Sequence, residues 1–127
     1  MSFLRSFAGA AVLTFTMSAG AAADFSLRRS EASIRDRILN EVPLGSSIAR
    51  VEQQIAGHQW KVTHVNLNGG FFDRRTRPYK VTGEKSMEAW IGDYRGLPFK
   101  VDVSVYWAFD ANGSLIDVWV YKEWDSL

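Results

Sequence analysis

The chain has 127 residues, with 15 Lys and Arg against 14 Asp and Glu, 46% hydrophobic residues and no cysteine. That length allows one domain, and the near-neutral balance argues against the basic face that general nucleic-acid binding requires. Without a thiol there is no disulfide, no thiolate nucleophile and no cysteine metal site, so core packing must hold the fold.

Residues 1–23 read as a secretory signal peptide. Met1 to Arg5 is short and basic, Phe7 to Met17 is nearly all apolar or small, and Ala21 and Ala23 supply small residues ahead of a cut. The expected cut follows Ala23, with one after Ala21 as the neighbouring option. The apolar run is shorter than the roughly 20 residues a membrane span needs. No cysteine stands at the cut to carry a lipid. Removing Arg5 leaves basic and acidic residues equal in number. Residues 24–127 are therefore expected to form one neutral domain, periplasmic or secreted, with no stable membrane span.

Ser30 is placed to cap a helix that begins at Glu31, because its hydroxyl can accept an orphan backbone N–H. Ile34, Ile38, Leu39 and Val42 then recur at helical spacing. Pro43 and Gly45 end the helix. Ser46 and Ser47 offer a second cap, Ile48, Val51 and Ile55 form a second apolar stripe, and Gly57 suits the position just past the end. The Gly45-Ser46-Ser47 start is also the kind of helix N-terminus that can hold an anion, although capping explains both serines.

From Trp60 the period changes to two. Trp60, Val62, His64 and Asn66 alternate with Lys61, Thr63, Val65 and Leu67, which predicts a strand that Asn68-Gly69-Gly70 breaks. Phe71 and Phe72 lead into Asp73-Arg74-Arg75-Thr76-Arg77-Pro78, an irregular basic loop, and Tyr79 to Thr82 is a short run. Met87, Ala89 and Ile91 alternate with Glu88, Trp90 and Gly92 in a strand that reaches about Tyr94.

The clearest element is a hairpin. Val101, Val103, Val105, Trp107 and Phe109 alternate with Lys100, Asp102, Ser104, Tyr106 and Ala108, and Ile116, Val118 and Val120 with Asp117, Trp119 and Tyr121. Between them Asp110-Ala111-Asn112-Gly113 carries the residues a tight turn needs. The predicted fold is α+β, with two N-terminal helices packed on one face of a three- to four-stranded antiparallel meander. Met87, Ile91, Val101, Val103, Val105, Trp107, Ile116, Val118 and Val120 are the expected sheet core, each contributing roughly 1.5–3 kcal/mol when buried.

The sequence carries no recognisable catalytic constellation. His58 and His64 flank Trp60 at a spacing of six, which fits neither a helix face nor a compact metal pair. Neither a Gly-x-Ser-x-Gly elbow nor a phosphate loop occurs. Asp110, Asn112 and Gly113 share residue types with a calcium loop, but no closing Glu follows. No catalytic residue, metal or cofactor is expected, and a small hydrolase built on His64 lacks partner residues.

Two features suggest binding. Arg74, Arg75, Arg77 and Lys80, interleaved with Phe71, Phe72 and Tyr79, can hold phosphates, acidic sugars or an acidic partner. If the valine face lies under the helices, Trp90, Tyr94, Tyr106, Trp119 and Tyr121 share the opposite side. With a third of each ring exposed they make a patch of roughly 250–400 Å². The competing expectation is that the rings steady an exposed sheet, or that the C-terminal tail or the 71–80 loop covers them.

Leu44-Gly45-Ser46-Ser47, followed by Val51 and Ile55, resembles the start of helix two in BamE (SmpA/OmlA)-like domains. Residues 109–118, FDANGSLIDV, resemble their final hairpin. The helix–helix–meander order is similar too, and the β-lactamase-inhibitor proteins repeat it in tandem. The resemblance spans about residues 30–123. It implies a small cell-envelope domain that works by protein–protein contact through sheet and loops. The chain departs from the family in lacking the lipoprotein cysteine. A PepSY-like module is the alternative family, with the same accessory role. The expected function is non-catalytic binding of an envelope protein partner through the aromatic face, with Arg74, Arg75 and Arg77 on its rim. The alternative is binding of a glycan or anionic envelope polymer by the same aromatics and arginines.

Overall fold

The computed structural model describes residues 26–126. The segment expected to be a signal peptide lies outside them. Two helices come first. Helix α1 (Glu31–Glu41) is capped by Ser30, whose Oγ accepts from the Ser33 N–H at 3.1 Å. Helix α2 (Ile48–Gly57) is capped by Ser47, whose Oγ accepts from the Arg50 N–H at 3.2 Å. Gly57 is the last helical residue rather than the one past it. The chain leaves through His58 and Gln59, and Gln59 takes the left-handed conformation at φ 60°.

Six strands follow: β1 (Lys61–Asn66), β2 (Phe71–Asp73), β3 (Lys80–Thr82), β4 (Lys85–Gly96), β5 (Phe99–Phe109) and β6 (Leu115–Ser126). Four of them form an antiparallel sheet in the order β1-β4-β5-β6. The other two pair as a separate ribbon, β2 with β3, inserted in the connection from β1 to β4. The basic loop expected to be irregular is thus the tip of a hairpin.

One buried cluster joins Ile34, Ile38 and Val42 and, from α2, Val51 and Ile55 to Val101, Val103, Val105, Trp107, Val118 and Val120 of the sheet. The side of the sheet that feeds this cluster is its core face; the other is its outer face. Eight of the nine expected sheet-core residues are buried. The ninth is a correction. Ile116 is 45% exposed and Leu115 takes the interior position. The cause is a register shift: Ala108 pairs with Asp117 but Phe109 pairs with Leu115, so Ile116 is the extra residue of a bulge.

A second bulge acts on β4. Trp90 pairs with Ser104 and Gly92 with Val103, leaving Ile91 unpaired. Gly92 has φ 140°, a conformation side chains rarely adopt, and a Cβ there would stand 2.6 Å from Leu27 Cδ1. Beyond this point alternation is inverted. Tyr94 pairs with Val101 and packs against the core cluster, so it does not share the outer face with Trp119 as expected.

Candidate functional site

The ribbon covers part of the outer face. Phe71 packs on Tyr106 and Trp119 with ring centroids 5.4 and 5.8 Å away, and Tyr106 stacks on Trp119 at 4.9 Å. Phe71, Ala108 and Trp119 are buried in this second cluster, and Tyr106 and Tyr121 are half-buried at its margin. Trp119 is only 8% exposed, so it is floor rather than contact surface. Gly70 permits the ribbon to close, since a Cβ there would fall 1.9 Å from the Thr82 carbonyl oxygen. The expectation that the 71–80 region covers the rings therefore describes Trp119, while Tyr106 and Tyr121 keep an open side.

The arginines divide by role. Arg75 is bound within the protein. Its Nε and Nη2 donate to the two oxygens of Asp73 at 2.9 and 2.8 Å, and Nη2 also donates to Asp117 at 2.6 Å. Asp73, 2% exposed, accepts further from the Arg75 backbone N–H and from the Thr82 hydroxyl. Hydrogen bonding to Arg75 holds the Asp73 carboxyl well below the usual carboxylate range, and the same pairing pushes Arg75 up. Arg75 is therefore anchored by the protein's own carboxylates, while its side chain stays 34% exposed and lies 5.5 Å over the Trp119 ring. Arg77 lies 5.0 Å over the Tyr79 ring at the ribbon tip. Arg74 lies over the outer face, 4.5 Å from the Tyr121 centroid and 5.5 Å from that of Trp119.

A cleft of about 490 Å³ opens beside the ribbon, lined by His64, Phe71, Phe72, Arg74, Glu88 and Tyr106 together with Gly70, Ser86 and Met87. It sets one cation and one carboxylate around an aromatic floor. Phe72, at its mouth, is 57% exposed. The Tyr106 phenol is pushed up to about 12, first by burial and then by the Glu88 carboxylate, with Arg74 acting the other way.

The remaining expected residues lie elsewhere. Trp90 is on the outer face, but its Nε1 donates to Asp102 Oδ1 at 3.0 Å, and it lines a separate cleft of about 370 Å³ with Lys61 and Lys100. Tyr94 lies under Arg28, with its ring centroid 4.9 Å from the guanidinium, and its hydroxyl accepts from Lys122 Nζ. His64 pairs across the sheet with Glu88 on the outer face, away from the side where Trp60 packs. His58 instead stacks on Trp60 at 4.3 Å and bonds Glu41 at 2.7 Å. Ser86, which shares the cleft with His64, donates its hydroxyl proton to the Gly69 carbonyl. Sequence reasoning missed Glu88 and Ser86 as cleft residues. The available signal was that both alternate in step with Trp90.

Among the described residues no group of three His, Asp or Glu side chains could hold a metal ion, and no helix is long and apolar enough to cross a membrane. Compared with known proteins, the chain matches no family model, no curated protein and no solved structure.

Proposed function

We propose that the chain is an exported, non-catalytic envelope protein that binds a protein partner on the outer face of its sheet. The observation that carries this reading is the cleft beside the ribbon, where Arg74 and the exposed Phe72 ring flank a floor of Tyr106 and Phe71. Aromatic and arginine side chains are the commonest anchors of protein interfaces. An acidic side chain of the partner would meet Arg74, and an apolar one would meet the rings. The order of two helices before an antiparallel meander supports the BamE-like resemblance, from which the inserted ribbon departs. The test is capture from envelope extract by the chain and by its Arg74→Glu and Phe72→Ser variants. Loss of the captured protein in both variants, with unchanged circular dichroism, is the expected result. Capture unaffected by either change overturns the reading.

A second reading is favoured by the mixture of aromatic floor and polar rim in the same cleft. A sugar ring can stack on Tyr106 while Arg74 meets an acidic substituent. Salt-sensitive retention on peptidoglycan or an acidic polysaccharide, abolished by Arg74→Ala, distinguishes it from protein binding.

A further inference from the structure

The two edges of the sheet are treated differently. On β6 several outward backbone groups are occupied: Leu115 exchanges hydrogen bonds with Gly45 and Ser46, and the Val118 carbonyl accepts from Arg35 Nε at 2.7 Å. The Val118 N–H donates to Asp117 Oδ1, and the Lys122 N–H donates to Glu31 Oε2 at 3.0 Å. Such covering blocks edge-to-edge pairing. The opposite edge has none of it. Among the described residues, the backbone of β1 bonds to β4 alone, and all of Lys61 to Val65 is exposed. Val62 and Val65 are 45% and 46% exposed, and Leu67 beyond them is 55% exposed. An open edge bearing valines is a template for another strand.

We propose that β1 pairs antiparallel with β1 of a second copy of this chain, about a two-fold axis between Thr63 and His64, joining two sheets into one. The register argues for a copy of the same strand. A shift between Val62 and His64 puts Val62 opposite Ala89 and Val65 opposite Met87, so both valines lie on the core face although their spacing is odd. About the proposed axis, Val62 meets the partner's Val65, and Val65 meets the partner's Val62. Directly opposed residues of an antiparallel pair share a face, so the four valines form one apolar strip. Lys61 meets the partner's Asn66, so no like charges are opposed. A slip of one residue either way sets Val62 against the partner's His64 or Asn66, which belong to the outer face, and the strip is lost. A contact this short buries less than a standard interface, so the dimer is expected to dissociate in the micromolar range or weaker.

Sedimentation velocity of the full chain at rising concentration tests this. The expected result is a reversible dimer that Val62→Lys weakens at least about tenfold, since the change acts twice per dimer. Val81→Lys on the ribbon, where the valine is 62% exposed, leaves the dimer unchanged. Because the chain has no cysteine, Val62→Cys and Val65→Cys chains can also be mixed under oxidation. A disulfide that forms in the mixture, and in neither variant alone, reports the register. A monomer at millimolar concentration overturns the proposal, as does a dimer equally tight with Val62→Lys or a mixture that gives no crosslink.

Discussion

Arg75 and Asp117 meet at 2.6 Å, on a carboxylate whose other oxygen is held by Arg35 at 3.1 Å. Arg75 belongs to the ribbon on the outer face, and Arg35 to α1, whose isoleucines feed the core face. One aspartate on edge strand β6 therefore ties together elements from both sides of the sheet. Asp117→Ala is expected to lower stability by about 1–3 kcal/mol in urea denaturation, the range for hydrogen bonds to charged, partly exposed groups. Arg75→Ala should cost more than Arg35→Ala, because it also strands the buried Asp73. The two arginine effects should fail to add in a double-mutant cycle.

Acid should act on the ribbon through Asp73. Its folded carboxyl is held below the ordinary value of about 3.9 by the hydrogen bonds from Arg75 and Thr82. A depressed folded value means that the native state holds its proton less tightly than the unfolded chain. The stabilisation is thus fully present above the unfolded value and is lost as pH falls towards the lower folded one. Stability measured from pH 6 downward should begin to drop near pH 4. Asp73→Asn should be less stable at neutral pH by about 2–3 kcal/mol and should flatten that part of the profile. A profile of Asp73→Asn that parallels the unsubstituted chain would remove Asp73 as the cause.

Tyr106 gives the opposite sign at high pH. Its phenol is raised from the ordinary value of about 10 to about 12 by burial and by Glu88. A raised folded value stabilises the protein below the unfolded phenol value, and that contribution disappears as pH climbs through about 12. Ultraviolet titration should show one late phenolate that is missing in Tyr106→Phe. Glu88→Gln should bring it earlier and Arg74→Ala should delay it, since the carboxylate and the guanidinium act in opposite directions.

Local chemistry made much of the fold readable. Ser30 and Ser47 cap the two helices in the sequence as in the structure, and the alternation of Val101, Val103, Val105 and Trp107 marks a face that is wholly buried. Failures of reading occur where non-local pairing overrides alternation. Tyr94 reads as a neighbour of Trp90 and lies on the other face, because the bulge at Ile91 inverts the parity of everything after it. Gly92 was the available hint, since a glycine inside a strand often marks a bulge. The ribbon escaped because three-residue strands are too short to show a period. Its pairing also depends on Gly70 admitting the Thr82 backbone, which no pattern within residues 71–82 announces. The candidate site moved for the same reason: once Phe71 folds over Trp119, the open surface becomes the cleft beside the ribbon.

The bulge at the start of β6 makes the sharpest claim about sequence and energy. Leu115 and Ile116 are adjacent, similar in volume and equally apolar, yet Leu115 is 1% exposed and Ile116 is 45% exposed. Alternation counted back from Val120 and Val118 selects Ile116 for the core. The pairing of Phe109 with Leu115 selects Leu115, and the loop before α2 fixes that choice through the Gly45 and Ser46 hydrogen bonds to the Leu115 backbone. Leu115→Ala should therefore create a cavity and cost about 2–5 kcal/mol, whereas Ile116→Ser should change stability by no more than about 0.5 kcal/mol. Paired urea denaturations decide the matter. Comparable losses at both positions would mean that the bulge is absent and that strict alternation runs through the strand. In that case Ile116 would take the interior place that Leu115 holds, while Asp117, whose pairing with Ala108 lies beyond the bulge, would keep its place on the outer face and its tie to Arg75.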